Sequence, residues 1–224
     1  LSRVKVFDCS CCPPNLLRFV GSIADYMYSV SGNTIYAHCY MDAEGEIETS
    51  AGKMKLKQET GYPYDGKIRI LTETEATCEI ALHLPSWSEQ WKLTINGKEA
   101  EAVLRKGYLY VQREWKCGDC LELELDMGIR FWESNPRVID TSGRIAVTRG
   151  PLVFCAEGID NEDLLLRDVR IKPMQEGKIC FRQMEGTTLP VLELDAEARE
   201  EEADLYVKPG KSLRNVKLHL IPYF

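Results

Sequence analysis

The period of the hydrophobic pattern changes once along this chain, close to Ser31, and this change limits the fold more than any other feature. Before Ser31, apolar residues recur at steps of three and four, which predicts one amphipathic α-helix from Pro13 to Tyr28. Prolines suit the first turn of a helix, and the stretch SGN (31–33) predicts its end. After Ser31, apolar and polar residues alternate, which predicts β-strands.

Alternating segments fill the rest of the chain and are separated by turn signals about every 8–12 residues, the pattern of antiparallel sandwiches. The dipeptide Asn96–Gly97 predicts a type I′ hairpin turn. The segment ESNPR (133–137) predicts a domain boundary, and the acidic run 195–204 a solvated loop or short exposed helix. The predicted strands are TIYAHCYM (34–41), EIETSAGKMKLKQET (46–60), KIRILTET (67–74), CEIALHLPSW (78–87), WKLTINGKEA (91–100), GYLYVQREW (107–115), CLELELDMGIRFW (120–132), RIAVTRGPLVFCAEG (144–158), DVRIKP (168–173), KICFRQM (178–184), PVLELDA (190–196) and NVKLHLIPYF (215–224).

The fold class that follows is mainly β, with two antiparallel, jelly-roll-like β-sandwich domains preceded by one α-helix. The predicted domains are a terminal helical segment (1–30), a first sandwich (31–134) and a second sandwich (135–224). A formal net charge of −7 argues against nucleic acid as a partner, because phosphate binding needs a basic surface. No stretch approaches the roughly 18 apolar residues of a membrane span, so we predict no membrane partner.

The cysteines predict a reducing, cytoplasmic location. There are nine, an odd number at uneven spacing, which differs from the regular spacing of a secreted disulfide framework. We therefore expect free thiols at Cys39, Cys78, Cys155 and Cys180, which lie in strand patterns. The chain begins at Leu1 with neither an initiator Met nor an apolar signal segment, so we expect a piece of a longer protein.

Several residue groups are candidates for chemistry, and most have a plain structural alternative. In CGDC (117–120) the cysteines are expected to flank a turn, with a zinc ribbon shared with the N-terminal cysteines as the alternative. Each histidine lies in an apolar strand pattern and is interpreted as a packed residue. The four tryptophans, at positions 87, 91, 115 and 132, are interpreted as core residues, with a sugar-stacking platform as the alternative.

Three cysteines, Cys9, Cys11 and Cys12, lie directly before the predicted helix. Adjacent cysteines do not fit disulfide geometry, so we predict no Cys11–Cys12 bridge. Two neighbouring thiolates can instead share one metal ion. From the residues alone, a catalytic or metal-binding role and a buried structural role both stay open.

The stretch CSCCPPNLLR (9–18) resembles the C-x-C-C-P-P-N-x-x-R signature of glycoside hydrolase family 127, typified by β-L-arabinofuranosidases. Further segments resemble the sandwich domains of that family: LHLPSW, TINGK, REWKCGD, RGPLVFCAE and LIPYF. The resemblance implies a catalytic (α/α)6 barrel, of which this chain keeps only the last helix, followed by two β-sandwiches. It also implies that the second sandwich is truncated at its C-terminus.

The resemblance further implies a retaining hydrolase that acts on β-L-arabinofuranosides or related sugars. In that family a zinc ion is held by the cysteine pair and by a Glu-x-Cys element of the barrel, and a separate glutamate is the acid and base. Carried over, Cys11 is the nucleophile and a zinc ligand, Cys12 is a zinc ligand, and Cys9 has no assigned chemistry. The remaining ligands, the acid/base residue and most of the carbohydrate pocket are expected outside this chain, which would be inactive alone.

Two other functions stay open from the sequence. One is a non-catalytic β-sandwich module that binds carbohydrate or another protein through surface aromatics. The other is a subunit-contact module, in which case a homodimer is one arrangement to test. The sequence does not name the natural sugar or the linkage.

Overall fold

The structure, a computed structural model, describes residues 11–184, 186–199, 206 and 213–223. It has one α-helix in this part of the chain, α1 (Cys12–Ser22), followed by a 3-10 turn, Ile23–Tyr26. Eighteen strands follow within the described residues, so the predicted mainly-β fold with one helix is confirmed. No helix within the described residues is both long and apolar enough to cross a membrane.

The described chain divides into two compact units. The first contains the residues up to Tyr62 and Gly66–Leu125, and the second contains Pro63–Asp65 and the residues from Asp126 onward. The domain limits expected from the sequence stay predictions.

The strands of the first unit form two sheets, one of five strands in the order β1-β2-β6-β10-β9 and one of six in the order β3-β4-β5-β11-β7-β8. Neighbours are antiparallel except β2 and β6, which are parallel. The strand bounds are β1 (Tyr28–Ser31), β2 (Thr34–Ala37), β3 (Ala43–Thr49), β4 (Gly52–Thr60), β5 (Lys67–Thr72), β6 (Ala76–His83), β7 (Trp91–Ile95), β8 (Lys98–Glu99), β9 (Val103–Arg105), β10 (Tyr108–Trp115) and β11 (Cys120–Leu125).

The core of the first unit lies between its two sheets. Alternate residues of β2, β6 and β10 point inward to meet alternate residues of β4, β5, β7 and β11, as the period of two requires. Trp115 is a fully buried member of this core and donates an Nε1 hydrogen bond of 3.1 Å to the backbone carbonyl of Cys78. Trp87 and Trp91 pack against this core, whereas Trp132 is 52% exposed, so the core interpretation is wrong for Trp132.

The strands of the second unit form one seven-stranded sheet in the order β12-β13-β14-β18-β17-β15, with β16 paired to β17 beside β15. The long strand β18 is shared by two neighbours. Its C-terminal end pairs with β14, and the rest of the strand pairs with β17. The strand bounds are β12 (Ile129–Glu133), β13 (Ile145–Arg149), β14 (Leu152–Cys155), β15 (Arg170–Ile171), β16 (Lys178–Met184), β17 (Thr187–Arg199) and β18 (Leu213–Pro222).

Several sequence predictions are wrong at element ends. The helix ends at Ser22 rather than Tyr28, and SGN (31–33) is the turn between β1 and β2, where Gly32 has a φ of 61°. The run CLELELDMGIRFW is divided into β11 and β12, because the Asp126 side chain accepts a hydrogen bond from the Gly128 backbone N–H and forms an Asx turn. In the acidic run, residues 195–199 belong to β17, and residues 200–204 lie outside the described residues.

Two more segments show how local chemistry sets the strand ends. Residues 46–60, predicted as one strand, form parts of β3 and β4 joined by a tight turn in which the Thr49 hydroxyl accepts from the Ala51 N–H. The Asn96–Gly97 prediction is confirmed, since both residues have a positive φ (52° and 73°) between β7 and β8.

In the second unit, Gly177 permits close packing, because a Cβ there would lie 2.6 Å from Leu194 Cδ2.

Candidate functional site

The cysteine pair lies at the N-terminal end of α1. Cys11 is the N-cap residue and Cys12 begins the helix, with proline in the first turn, where an amide hydrogen is not required. The Sγ atoms of Cys11 and Cys12 are 3.8 Å apart, and both residues are exposed. Cys9 lies outside the described residues. The structure thus brings the two predicted site residues together.

The first turn of α1 has few free backbone donors. Pro13 and Pro14 have no amide hydrogen, and the N–H of Asn15 donates to the Cys11 carbonyl at 3.4 Å. The turn has no acidic residue, and the N-cap residue makes no side-chain capping bond. The start of the helix therefore offers the two sulfurs little stabilisation through backbone N–H groups.

Two faces of α1 differ in chemistry. Cys11, Asn15, Arg18 and Ser22 recur at helical spacing along one polar stripe, in which Arg18 Nη1 donates to Asn15 Oδ1 at 3.4 Å. The neighbouring face is apolar and consists of side chains that are all more than half exposed: Leu16, Leu17, Phe19 and Val20. The described residues leave this apolar face uncovered.

The other sequence candidates do not join the cysteine pair in a metal site. Among the described residues, no group of three or more His, Cys, Asp and Glu side chains is placed to hold a metal ion. The cysteines of CGDC flank a turn as predicted, with Gly118 at a φ of 89° and Cys120 opening β11. None of the eight described cysteines is in a disulfide, which confirms the expectation for Cys39, Cys78, Cys155 and Cys180.

A cluster that sequence reasoning missed lies on the outer surface of the five-stranded sheet. Hydrogen bonds of 2.7 Å join the His38 ring to Tyr108 Oη through Nδ1 and to Ser29 Oγ through Nε2. The Tyr36 ring packs edge-on against Tyr108 and Tyr110, at 5.5 and 6.0 Å between centroids. The signal was available, because in TIYAHCY and GYLYV the aromatic and histidine residues alternate with the core residues.

Charged and titratable groups surround this Tyr–His cluster. The Arg105 guanidinium lies 3.9 Å from the centre of the Tyr110 ring and pairs with Glu79 at 3.3 Å. Burial, and then the neighbouring His38, lower the pKa of His83, which therefore stays neutral at pH 7 and keeps one donor and one acceptor nitrogen. The cluster thus combines aromatic carbon with hydroxyl and imidazole groups, as a surface that binds polar organic molecules does.

Comparison with known proteins gives two domain matches within one family. Residues 34–127 match the profile described as "Beta-L-arabinofuranosidase, GH127 middle domain". Residues 129–224 match the profile described as "Glycoside hydrolase family 127 C-terminal domain".

Individual relatives agree with these matches. A non-reducing end β-L-arabinofuranosidase of Bifidobacterium longum subsp. longum is 32% identical over 99% of this chain, which spans only 36% of that relative. A crystal structure of a GH127 β-L-arabinofuranosidase from Geobacillus stearothermophilus T6 is similar with a TM-score of 0.89 and 31% identity, covering 99% of this chain and 36% of the other. A solved GH127 β-arabinofuranosidase gives a TM-score of 0.87 and 32% identity over 100% of this chain and 37% of its own. The chain therefore belongs to glycoside hydrolase family 127, whose middle and C-terminal domains it carries.

Proposed function

We propose that this chain is the C-terminal part of a retaining glycoside hydrolase that acts on β-L-arabinofuranosides or related sugars. In this proposal Cys11 is the nucleophile, and Cys11 and Cys12 are two ligands of a zinc ion. The observation that carries it is the Sγ–Sγ distance of 3.8 Å at the start of α1. Two sulfurs bound to one tetrahedral zinc at about 2.3 Å each lie about 3.8 Å apart, so the pair fits the metal without rearrangement.

The chemistry assigned to Cys11 is a double displacement. Its sulfur forms a bond to the anomeric carbon while the bond to the leaving oxygen breaks, and an acid gives that oxygen a proton. Water, deprotonated by the same group, then attacks the anomeric carbon and releases the thiolate, so the configuration is retained. A bound zinc ion would keep both sulfurs ionised at neutral pH.

This chain supplies only part of such a site. Two sulfurs are half of the usual four zinc ligands, and α1 has no carboxylate in its first turn. The proposal therefore assigns the other ligands and the acid/base carboxylate to residues beyond the described part of the chain. The exposed apolar face of α1 supports it, because such a face needs a covering neighbour. We also propose a reducing, cytoplasmic location, supported by described cysteines that form no disulfide.

The test uses a longer protein that contains this chain and an aryl β-L-arabinofuranoside. We expect Cys11→Ser to abolish turnover and Cys12→Ser to lower both zinc content and turnover, with metal content measured by mass spectrometry. Cys117→Ser is the matched control, since Cys117 is an exposed thiol in a turn of the first unit. Full activity and full zinc content in the Cys11→Ser protein would refute the assignment.

A second candidate function is carbohydrate binding without catalysis, and the Tyr–His cluster favours it. Aromatic carbon with hydroxyl and imidazole groups matches the alternating C–H and O–H groups of a sugar. A glycan array probed with this chain would detect such binding, and Tyr110→Ala should remove it. Tyr223→Ala, which alters an exposed tyrosine in the second unit, should not.

A further inference from the structure

The second unit contains a cleft of about 770 Å³ beside its seven-stranded sheet. Its lining includes four buried apolar side chains of β13, β14 and β18: Val147, Phe154, Leu218 and Leu220. Sites for small organic molecules have volumes of about 300–1000 Å³ and mostly apolar walls. The cleft therefore has the size of a small-molecule site, and its wall combines apolar with polar surface.

Three arginines also line this cleft: Arg144 just before β13, Arg167 in the 3-10 turn Leu166–Asp168, and Arg170 in β15. The lining contains no aspartate or glutamate. Because the whole chain carries a formal net charge of −7, three cations around one cleft are a local exception. Like charges placed together around an apolar surface attract an anion.

The side chains of all three arginines are exposed. Within the described residues, none of the three makes an ion pair or a side-chain hydrogen bond, whereas Arg69, Arg105 and Arg182 are all paired with carboxylates. Glu197 lies opposite Arg170 in the strand register, but its carboxylate pairs with Lys172 at 3.1 Å.

We propose that this cleft binds a small amphipathic anion, whose apolar body packs on the buried side chains and whose carboxylate or phosphate head is held by Arg144, Arg167 and Arg170. The planar guanidinium group matches such heads with paired hydrogen bonds. A neutral sugar fits poorly, because the lining offers one buried aromatic ring and, besides the arginines, only Cys155 as a polar side chain. The lining contains neither Cys11 nor Cys12, and the proposal does not depend on the proposed hydrolase activity.

The test is calorimetric titration of the 224-residue chain with octanoate, octyl phosphate and octyl glucoside, each below its micelle concentration. The three probes have alkyl tails of seven or eight carbons and differ in the head, so they separate apolar burial from charge. We expect both anions to bind and the glucoside to bind at least about tenfold more weakly, since hydrogen bonds between charged groups are stronger than those made by neutral hydroxyl groups. Equal affinity for all three probes, or no binding of the anions, would overturn the proposal.

Variants locate the site. Each of Arg144→Gln, Arg167→Gln and Arg170→Gln should weaken octanoate binding by about two- to fivefold, as expected for exposed ion pairs. Arg137→Gln, an exposed arginine outside the lining, is the control and should leave binding unchanged.

A further variant fills the cleft without changing any charge. Ala156→Trp places a large ring in the lining and should abolish binding with every arginine intact, while thermal melting checks that the protein is folded. Unchanged octanoate affinity in a protein that carries all three arginine substitutions together would overturn the proposal. Loss of binding in a longer protein that contains this chain would also overturn it, because the cleft would then be a packing surface for the rest of that protein.

Discussion

The side chain of Asn96 donates a hydrogen bond of 2.7 Å from Nδ2 to Oδ1 of Asp119, which joins the β7–β8 turn to the β10–β11 turn. The other oxygen of Asp119 accepts from the backbone N–H of Lys116 at 3.0 Å, and Asn96 Oδ1 accepts from the N–H of Cys120 at 2.8 Å. Asp119 is only 6% exposed. The two turns therefore hold each other through a buried, charge-assisted network.

We expect Asp119→Ala to lower the free energy of unfolding by about 2–3 kcal/mol, because three donors, on Asn96, Lys116 and Arg113, lose a charged acceptor. Urea denaturation followed by tryptophan fluorescence measures the change. Glu114→Gln, an exposed carboxylate on the same strand as Trp115, should change it by less than about 0.5 kcal/mol. An equal effect of the two substitutions would contradict the network.

The same carboxylate should make stability depend on pH. The N–H of Lys116 and then the amide of Asn96 lower the pKa of Asp119 below its usual value. Its stabilisation is therefore complete above the unfolded-state pKa, about 3.9, and is lost as the pH falls through the lower folded-state value. We expect the stability difference between wild type and Asp119→Asn to be largest above about pH 5 and to shrink below about pH 4. Exposed ion-paired carboxylates with lowered pKa values, such as Glu44 and Asp195, are present in both proteins and cancel. A constant difference from pH 6 to pH 3 would show that the charge of Asp119 is not involved.

Trp115 and Trp132 should respond differently to the same substitution. Trp115→Phe removes the donor to the buried Cys78 carbonyl and leaves a small cavity, so we expect a loss of about 1–3 kcal/mol. Trp132→Phe removes a hydrogen bond of 2.8 Å to Thr148 at the surface and should cost less than about 1 kcal/mol. Equal losses, measured by thermal denaturation, would mean that the buried hydrogen bond and packing of Trp115 do not stabilise the core more than the surface contact of Trp132 does.

The thiols should differ in their reaction with Ellman's reagent. Cys11, Cys12 and Cys117 are exposed and should react in the native protein. Cys78 is fully buried, and burial raises its pKa to about 11, so it should react only on unfolding. All nine cysteines should titrate in denaturant without reductant. Eight cysteines found paired under those conditions would disprove the reducing location.

The chain alone should have no glycosidase activity. Cys11 and Cys12 give zinc two of its usual four ligands, so we expect weak zinc binding, measured by competition with a chromogenic chelator. A missing general acid alone costs about 10²–10⁴-fold in rate. Turnover of an aryl β-L-arabinofuranoside by this chain would mean that the missing groups lie within it.

Sequence patterns predicted the class of each element better than its ends. The alternation that marks β4 or β10 results from burial of one sheet face, and burial dominates strand choice. Ends depend on single side chains: the Asx turn of Asp126 divides β11 from β12, and Gly32 forms a hairpin turn rather than a helix end. Such contacts become visible only when both partners are placed.

The site was predictable only in part. The juxtaposition of Cys11 and Cys12 follows from their adjacency and from the helix that begins there. The Tyr–His cluster was not predicted, because Tyr36 and Tyr108 are 72 positions apart and meet only through the pairing of β2 and β10 with β6. The arginine-lined cleft has the same origin in long-range packing.

The shared strand β18 has a consequence for biosynthesis. The first unit has all its strands once Leu125 has been made, but β14 and β17 have no common partner until Leu213–Pro222 follows. At about 5–20 residues per second, the ribosome takes roughly 3–13 s to make the 67 residues from the end of β14 at Cys155 to the end of β18 at Pro222. During that interval the free edge of β14, and from Arg199 onward also that of β17, stays open to other chains, so slow codons or scarce chaperones should lead to aggregation through this unit first.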